Sequence, residues 1–89
     1  MASDYFDMAI DHFWRAQSAQ SDTESAMQTA SGLQQFAAAV QESSGSSDSY
    51  FPMCIDHFWR AQNATSLSES LLQIASGLQQ FCAATKGQY

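Results

Sequence analysis

Positive charge is scarce in this chain. Its 89 residues hold three Lys and Arg against nine Asp and Glu, a formal net charge of −6. Clustered cations supply most of the affinity for a phosphate backbone, so nucleic acid is ruled out as a partner on charge. The same balance argues against adsorption to an anionic membrane surface. No apolar run approaches the roughly 18 residues that a spanning helix needs. The opening MASDYFDM is acidic, where a secretory leader begins basic. These features lead to the expectation of a cytoplasmic chain. Two cysteines are too few for a disulfide scaffold. Large apolar side chains are also sparse: Leu, Ile, Val and Phe number 15, few enough to raise the question of disorder.

What fills the gap is helix-forming. Fourteen Ala, four Met and many Gln favour helix, and the single proline, Pro52, falls near a predicted helix start. Disorder is therefore expected only at the termini and in the central Ser-rich segment.

The dominant signal is an internal repeat. A shift of 45 residues lays Tyr5–Gln41 over Tyr50–Lys86 with 25 of 37 positions identical. Two blocks carry most of the match, IDHFWRAQ (Ile10–Gln17, Ile55–Gln62) and ASGLQQF (Ala30–Phe36, Ala75–Phe81). The run ESSGSSDS at 42–49 reads as a linker. The organisation is one domain of two units, 4–41 and 50–86, each too small to fold alone.

Each unit reads as two helices, over about 5–19 and 22–41, then about 50–64 and 67–85. Asp4 and Ser49 stand at the expected N-cap positions. Ser21–Glu24 and Ser66–Glu69 match the S-x-x-E capping box. Wound as a helix, the first segment gathers Phe6, Ala9, Ile10, Phe13, Ala16 and Gln17 on one face. The second gathers Ala26, Ala30, Leu33, Ala37 and Val40, and its repeat Leu67, Leu71, Ile74, Leu78 and Cys82. Short loops force antiparallel hairpins. The predicted fold class is all-α: a four-helix bundle of two tandem antiparallel hairpins with approximate two-fold symmetry. Ala26→Leu71, Met27→Leu72 and Thr29→Ile74 make the last helix the more apolar. Its large side chains are expected to fill space left by small ones on the second helix. Charge is split as well, with −5 on residues 1–45 and −1 on 46–89.

Several residues are candidates for function. His12 and His57 are repeat-equivalent and make a candidate ligand pair for haem or a metal. The alternative is a histidine at the edge of the core. Trp14 and Trp59 either close the bundle flank or anchor a partner, a role that Trp, Tyr and Arg favour. Tyr5, Trp14, Arg15, Tyr50, Trp59 and Arg60 are the candidate partner-binding residues. Asp11 and Asp56 are placed to pair with Arg15 and Arg60 at i,i+4. Gly32 and Gly77, costly in mid-helix, point to close approach by a backbone or ring. Cys54 and Cys82 replace Ala9 and Ala37 as small fillers that could pair. Asn63-Ala64-Thr65 matches a glycosylation sequon, without a leader to give it meaning.

No catalytic triad, carboxylate dyad, phosphate loop or metal-spaced cluster is visible, so an enzyme is not expected and no cofactor is called for. The sequence supports a small acidic module that binds another protein or itself. The alternatives are a ligand-binding bundle using His12 and His57, an acidic decoy for a nucleic-acid-binding site, and a designed tandem-hairpin protein.

Overall fold

The computed structural model describes residues 2–45 and 48–86. Four helices follow in order: α1 (Ala2–Gln17), α2 (Asp22–Ser44), α3 (Tyr50–Gln62) and α4 (Leu67–Lys86). The described residues contain no strand. α1 packs on α2 and α3 packs on α4, giving the all-α bundle of two hairpins.

Both capping boxes form. The Glu24 N–H donates to Ser21 Oγ at 3.1 Å, and the Glu24 carboxylate accepts from the Gln20 N–H at 2.9 Å. In the second hairpin Glu69 N–H donates to Ser66 Oγ at 3.1 Å, and its carboxylate accepts from Thr65 N–H at 3.2 Å. Each box satisfies two backbone donors at a helix start. A serine one residue after the glutamate then ties the loop down. Ser25 Oγ donates to the Ala16 carbonyl at 2.9 Å, and the buried Ser70 to Ala61 at 3.0 Å.

The other ends depart from expectation. α1 begins at Ala2, so Asp4 lies inside its first turn, where its charge suits the helix dipole. Ser49 has helical dihedrals and makes no side-chain cap bond; Asp48 Oδ1 accepts from Tyr50 N–H at 2.8 Å instead. α2 runs three residues past the expected 41 and stops at Gly45, whose φ of 66° closes bonds to the Gln41 and Glu42 carbonyls. Left-handed backbone at that step is what glycine permits at low cost.

Inside each hairpin one contact sets the helix spacing. A β-carbon added to Gly32 would fall on the Phe13 ring, and one added to Gly77 would fall on the Phe58 ring. The rings occupy the space that any other residue would fill. Around them the main core joins Ala37 of α2, Phe51, Cys54 and Phe58 of α3, and Ala84 of α4. A second cluster joins Ala30, Ala61 and Ile74. Phenylalanines cross the hairpin boundary as a chain of ring contacts, Phe6 to Phe36 to Phe81 to Phe51, at centroid distances of 6.0, 5.3 and 6.2 Å.

The symmetry is approximate in a specific way. A full two-fold would pair α2 with α3 and α1 with α4. Among the described residues α2 packs on α1, α3 and α4, while α1 approaches neither α3 nor α4. The two hairpins match internally, yet they meet through only one of those two helix pairs. This offset overturns the expected large-into-small packing of α4 on α2. Ile74 does pack on Ala30, but Leu71, Leu72 and Leu78 are exposed. Ile10 likewise leaves the apolar face assigned to it and lies exposed.

The contact at Gly32 and Gly77 is testable. Alanine ordinarily stabilises a helix interior relative to glycine by about 1 kcal/mol. Here Gly32→Ala or Gly77→Ala forces the ring aside, and each is expected to lower stability by about 1–3 kcal/mol. Urea unfolding measures this; a gain in stability from either variant would show that the ring contact is not what selects glycine.

Candidate interaction surface

Trp14 and Trp59 occupy the same place on α1 and α3, and both face solvent, 69% and 55% exposed. Neither closes the bundle flank. Beside each tryptophan an arginine is held by the preceding turn: Arg15 Nε lies 3.0 Å from Asp11 Oδ2, and Arg60 Nε 2.9 Å from Asp56 Oδ2. All four charged side chains are more than half exposed, so these pairs add little stability. Their effect is to restrain each guanidinium against the preceding turn of its helix.

The six candidate partner-binding residues do not form one patch. Tyr5 and Trp14 are nine residues apart on α1, and at 100° per residue they stand on opposite sides of the helix. Tyr50 and Trp59 share that relation on α3. Tyr5 is half-buried and Tyr50 exposed. The surface thus separates into a tryptophan side on each hairpin and a tyrosine side that neighbours the histidine, with the arginine between them.

Each histidine is engaged within its own hairpin. His12 Nδ1 lies 2.8 Å from Gln28 Oε1, and His57 Nδ1 lies 2.8 Å from Gln73 Oε1. The glutamine oxygen is an acceptor, so Nδ1 carries the proton in this pairing. Both rings are half-buried. The partner glutamine, sixteen residues on, is identical in the two copies. It can be found in sequence only by folding the hairpin first. Among the described residues no group of three or more His, Cys, Asp or Glu could hold a metal ion.

The two cysteines differ in setting and are free thiols. Cys54 is buried in the main core and donates to the Phe51 carbonyl at 3.2 Å. Burial pushes its thiol up from 9.0 to about 11, against opposing backbone hydrogen bonds. Cys82 is exposed, so only one of the pair is the buried filler that was expected. No helix of the described residues is long and apolar enough to cross a membrane.

No family model, curated protein or solved structure matches this chain.

The Cys54 shift has a definite sign. A raised thiol pKa favours the neutral folded state, so its contribution is full below the unfolded value near pH 9 and is lost as pH climbs toward 11. Wild type is expected to lose stability over that window, by up to about 1.4 kcal/mol per pH unit relative to Cys54→Ala. Parallel pH slopes for the two proteins in urea melts would sink this. A thiol reagent at neutral pH should likewise label Cys82 rapidly and Cys54 only on unfolding.

Proposed function

We propose that this chain is a small, acidic, non-catalytic interaction module of the cytoplasm that binds another protein through its paired tryptophan surfaces. The observation that supports this reading is the exposure of Trp14 and Trp59, at 69% and 55%. An indole left in water forgoes apolar burial worth roughly 25 cal/mol per Å2. Nothing in the bundle's own packing gains from leaving two of them there. Tryptophan and arginine together are the residues most enriched among interface hot spots.

The pairing with arginine adds orientation. Asp11 and Asp56 restrain the guanidiniums, so less side-chain freedom is lost when a partner's carboxylate or carbonyl binds. Two copies of one surface on a single chain suit a partner that is itself repeated or two-fold symmetric. The net charge of −6 favours a partner of opposite sign in the encounter step. With −5 on residues 1–45, that preference is strongest at the first hairpin.

Trp14→Ala with Trp59→Ala tests the reading. If the tryptophans serve a partner, the double variant keeps its fold and changes stability by no more than about 0.5 kcal/mol per site. Capture of a specific protein from the native source is expected from wild type and lost with the variant. A loss of several kcal/mol in thermal or urea unfolding would return the tryptophans to a structural role. Undiminished capture would remove them from the interface.

A further inference from the structure

The offset between the hairpins leaves two complementary faces open. α3 docks on α2 through Phe51, Ile55, Phe58 and Gln62. The receiving face on α2 is Ala30, Leu33, Gln34 and Ala37, extended by Val40. Gln62 Nε2 donates to Gln34 Oε1 across this contact. Every one of these residues has a repeat counterpart 45 positions away.

On α1 the counterparts of the docking residues are Phe6, Ile10, Phe13 and Gln17, identical in type. On α4 the counterparts of the receiving residues are Ala75, Leu78, Gln79, Cys82 and, in place of Val40, Thr85. Their settings are inverted. Phe51 is fully buried while Phe6 is half-buried, and Ile55 packs on the core while Ile10 is 66% exposed. Ala30 and Ala37 are fully buried, yet Ala75 and Cys82 are exposed. Leu71 and Leu78 extend the same α4 stripe, 52% and 38% exposed.

We infer that the chain self-associates head to tail, with α1 of a second copy docking on the open face of α4 as α3 docks on α2. The occupant is a second copy because the internal contact already shows what this face accepts. Among the described helices α1 repeats the α3 docking residues, and it leaves Ile10 and Gln17 exposed and Phe6 and Phe13 half-buried. Gln17 and Gln79 re-form the Gln62–Gln34 hydrogen bond between molecules. Cys82 stands where Ala37 stands on the receiving face of α2. Charge is added at one end, where Lys86 replaces Gln41 on the receiving helix and Asp7 replaces Pro52 on the docking helix. The contact is heterologous, so its two faces are different surfaces on each molecule.

This inference differs from the tryptophan-mediated binding in its receiving surface on α4, which carries no tryptophan, while its docking surface shares α1 with Trp14. Sedimentation of the full chain from micromolar to millimolar concentration tests it, alongside Ile10→Glu and Leu78→Glu. Leu71→Glu serves as a second α4 variant, and circular dichroism confirms that each is helical. Wild type is expected to exceed the mass of one chain as concentration rises. Each single variant should associate about 30-fold or more weakly, the size of a hot-spot loss. Mixing Ile10→Glu with Leu78→Glu should restore a 1:1 complex, because each retains the face the other lacks. A wild-type chain monomeric at millimolar concentration overturns the inference. So does Ile10→Glu that still self-associates, which marks an α4–α4 contact, or a mixture that stays monomeric.

Discussion

A phenylalanine ring lying on a glycine backbone sets the geometry of each hairpin. Phe13 on Gly32, and Phe58 on Gly77, bring two helices closer than any side chain at the glycine would allow. Once that distance is set, short side chains can bridge the pair. Ser25 reaches the end of α1 and His12 reaches Gln28 only because the helices are close. The repeat of both bonds in the second hairpin, at nearly the same lengths, shows that the cause is local and duplicated. Glycine lowers helix propensity by about 1 kcal/mol, and the ring packed on it is what offsets that cost.

The same constraint explains how so few large side chains suffice. A chain with 15 Leu, Ile, Val and Phe among 89 residues lacks the volume for a conventional core. Its core is instead built from phenylalanine against alanine and glycine, with Ala30, Ala37, Ala61 and Ala84 fully buried. Small residues let backbones approach, and aromatic rings fill what remains at native density. The cross-hairpin chain of rings from Phe6 to Phe51 runs along this seam.

Much of this was legible in the residues before any coordinates. The 45-residue repeat, the four helices, both capping boxes and the two Asp–Arg pairs are short-range features that depend on spacing alone. The glycine contact could also be anticipated, because a mid-helix glycine present twice has few other physical explanations. What stayed hidden was which neighbour each face meets. Helical periodicity groups Ile10 with Phe6 and Phe13, but only the offset of the hairpins reveals that Ile10 faces water. It also groups Leu71 and Leu78 with Ile74, although Ile74 alone is buried. Trp14 sits at the edge of its stripe, where the wheel permits burial or exposure equally. The His12–Gln28 bond was illegible for a related reason, since it depends on hairpin register rather than on spacing within a helix.

Identical residues in opposite settings carry the strongest structural information here. Ala30 and Ala75 share type, the six residues that follow them and place in their helices, yet one is buried and the other exposed. Their own helices cannot account for this difference, because the two hairpins are alike inside. It arises from what packs on each helix: α2 receives α3, and among the described residues no helix takes the matching place on α4. A two-fold arrangement would have given both alanines a partner and closed the assembly. The offset arrangement gives each hairpin a docking side and a receiving side, of which only one pair is satisfied within the molecule. Such a relation has no internal reason to stop at two units. Among the described residues one surface of each kind is left unmet, with Leu78 and Cys82 exposed on α4 and Ile10 exposed on α1. The duplication thus supplied more than a second hairpin. It made an interface whose two halves are both still present on the outside of the molecule.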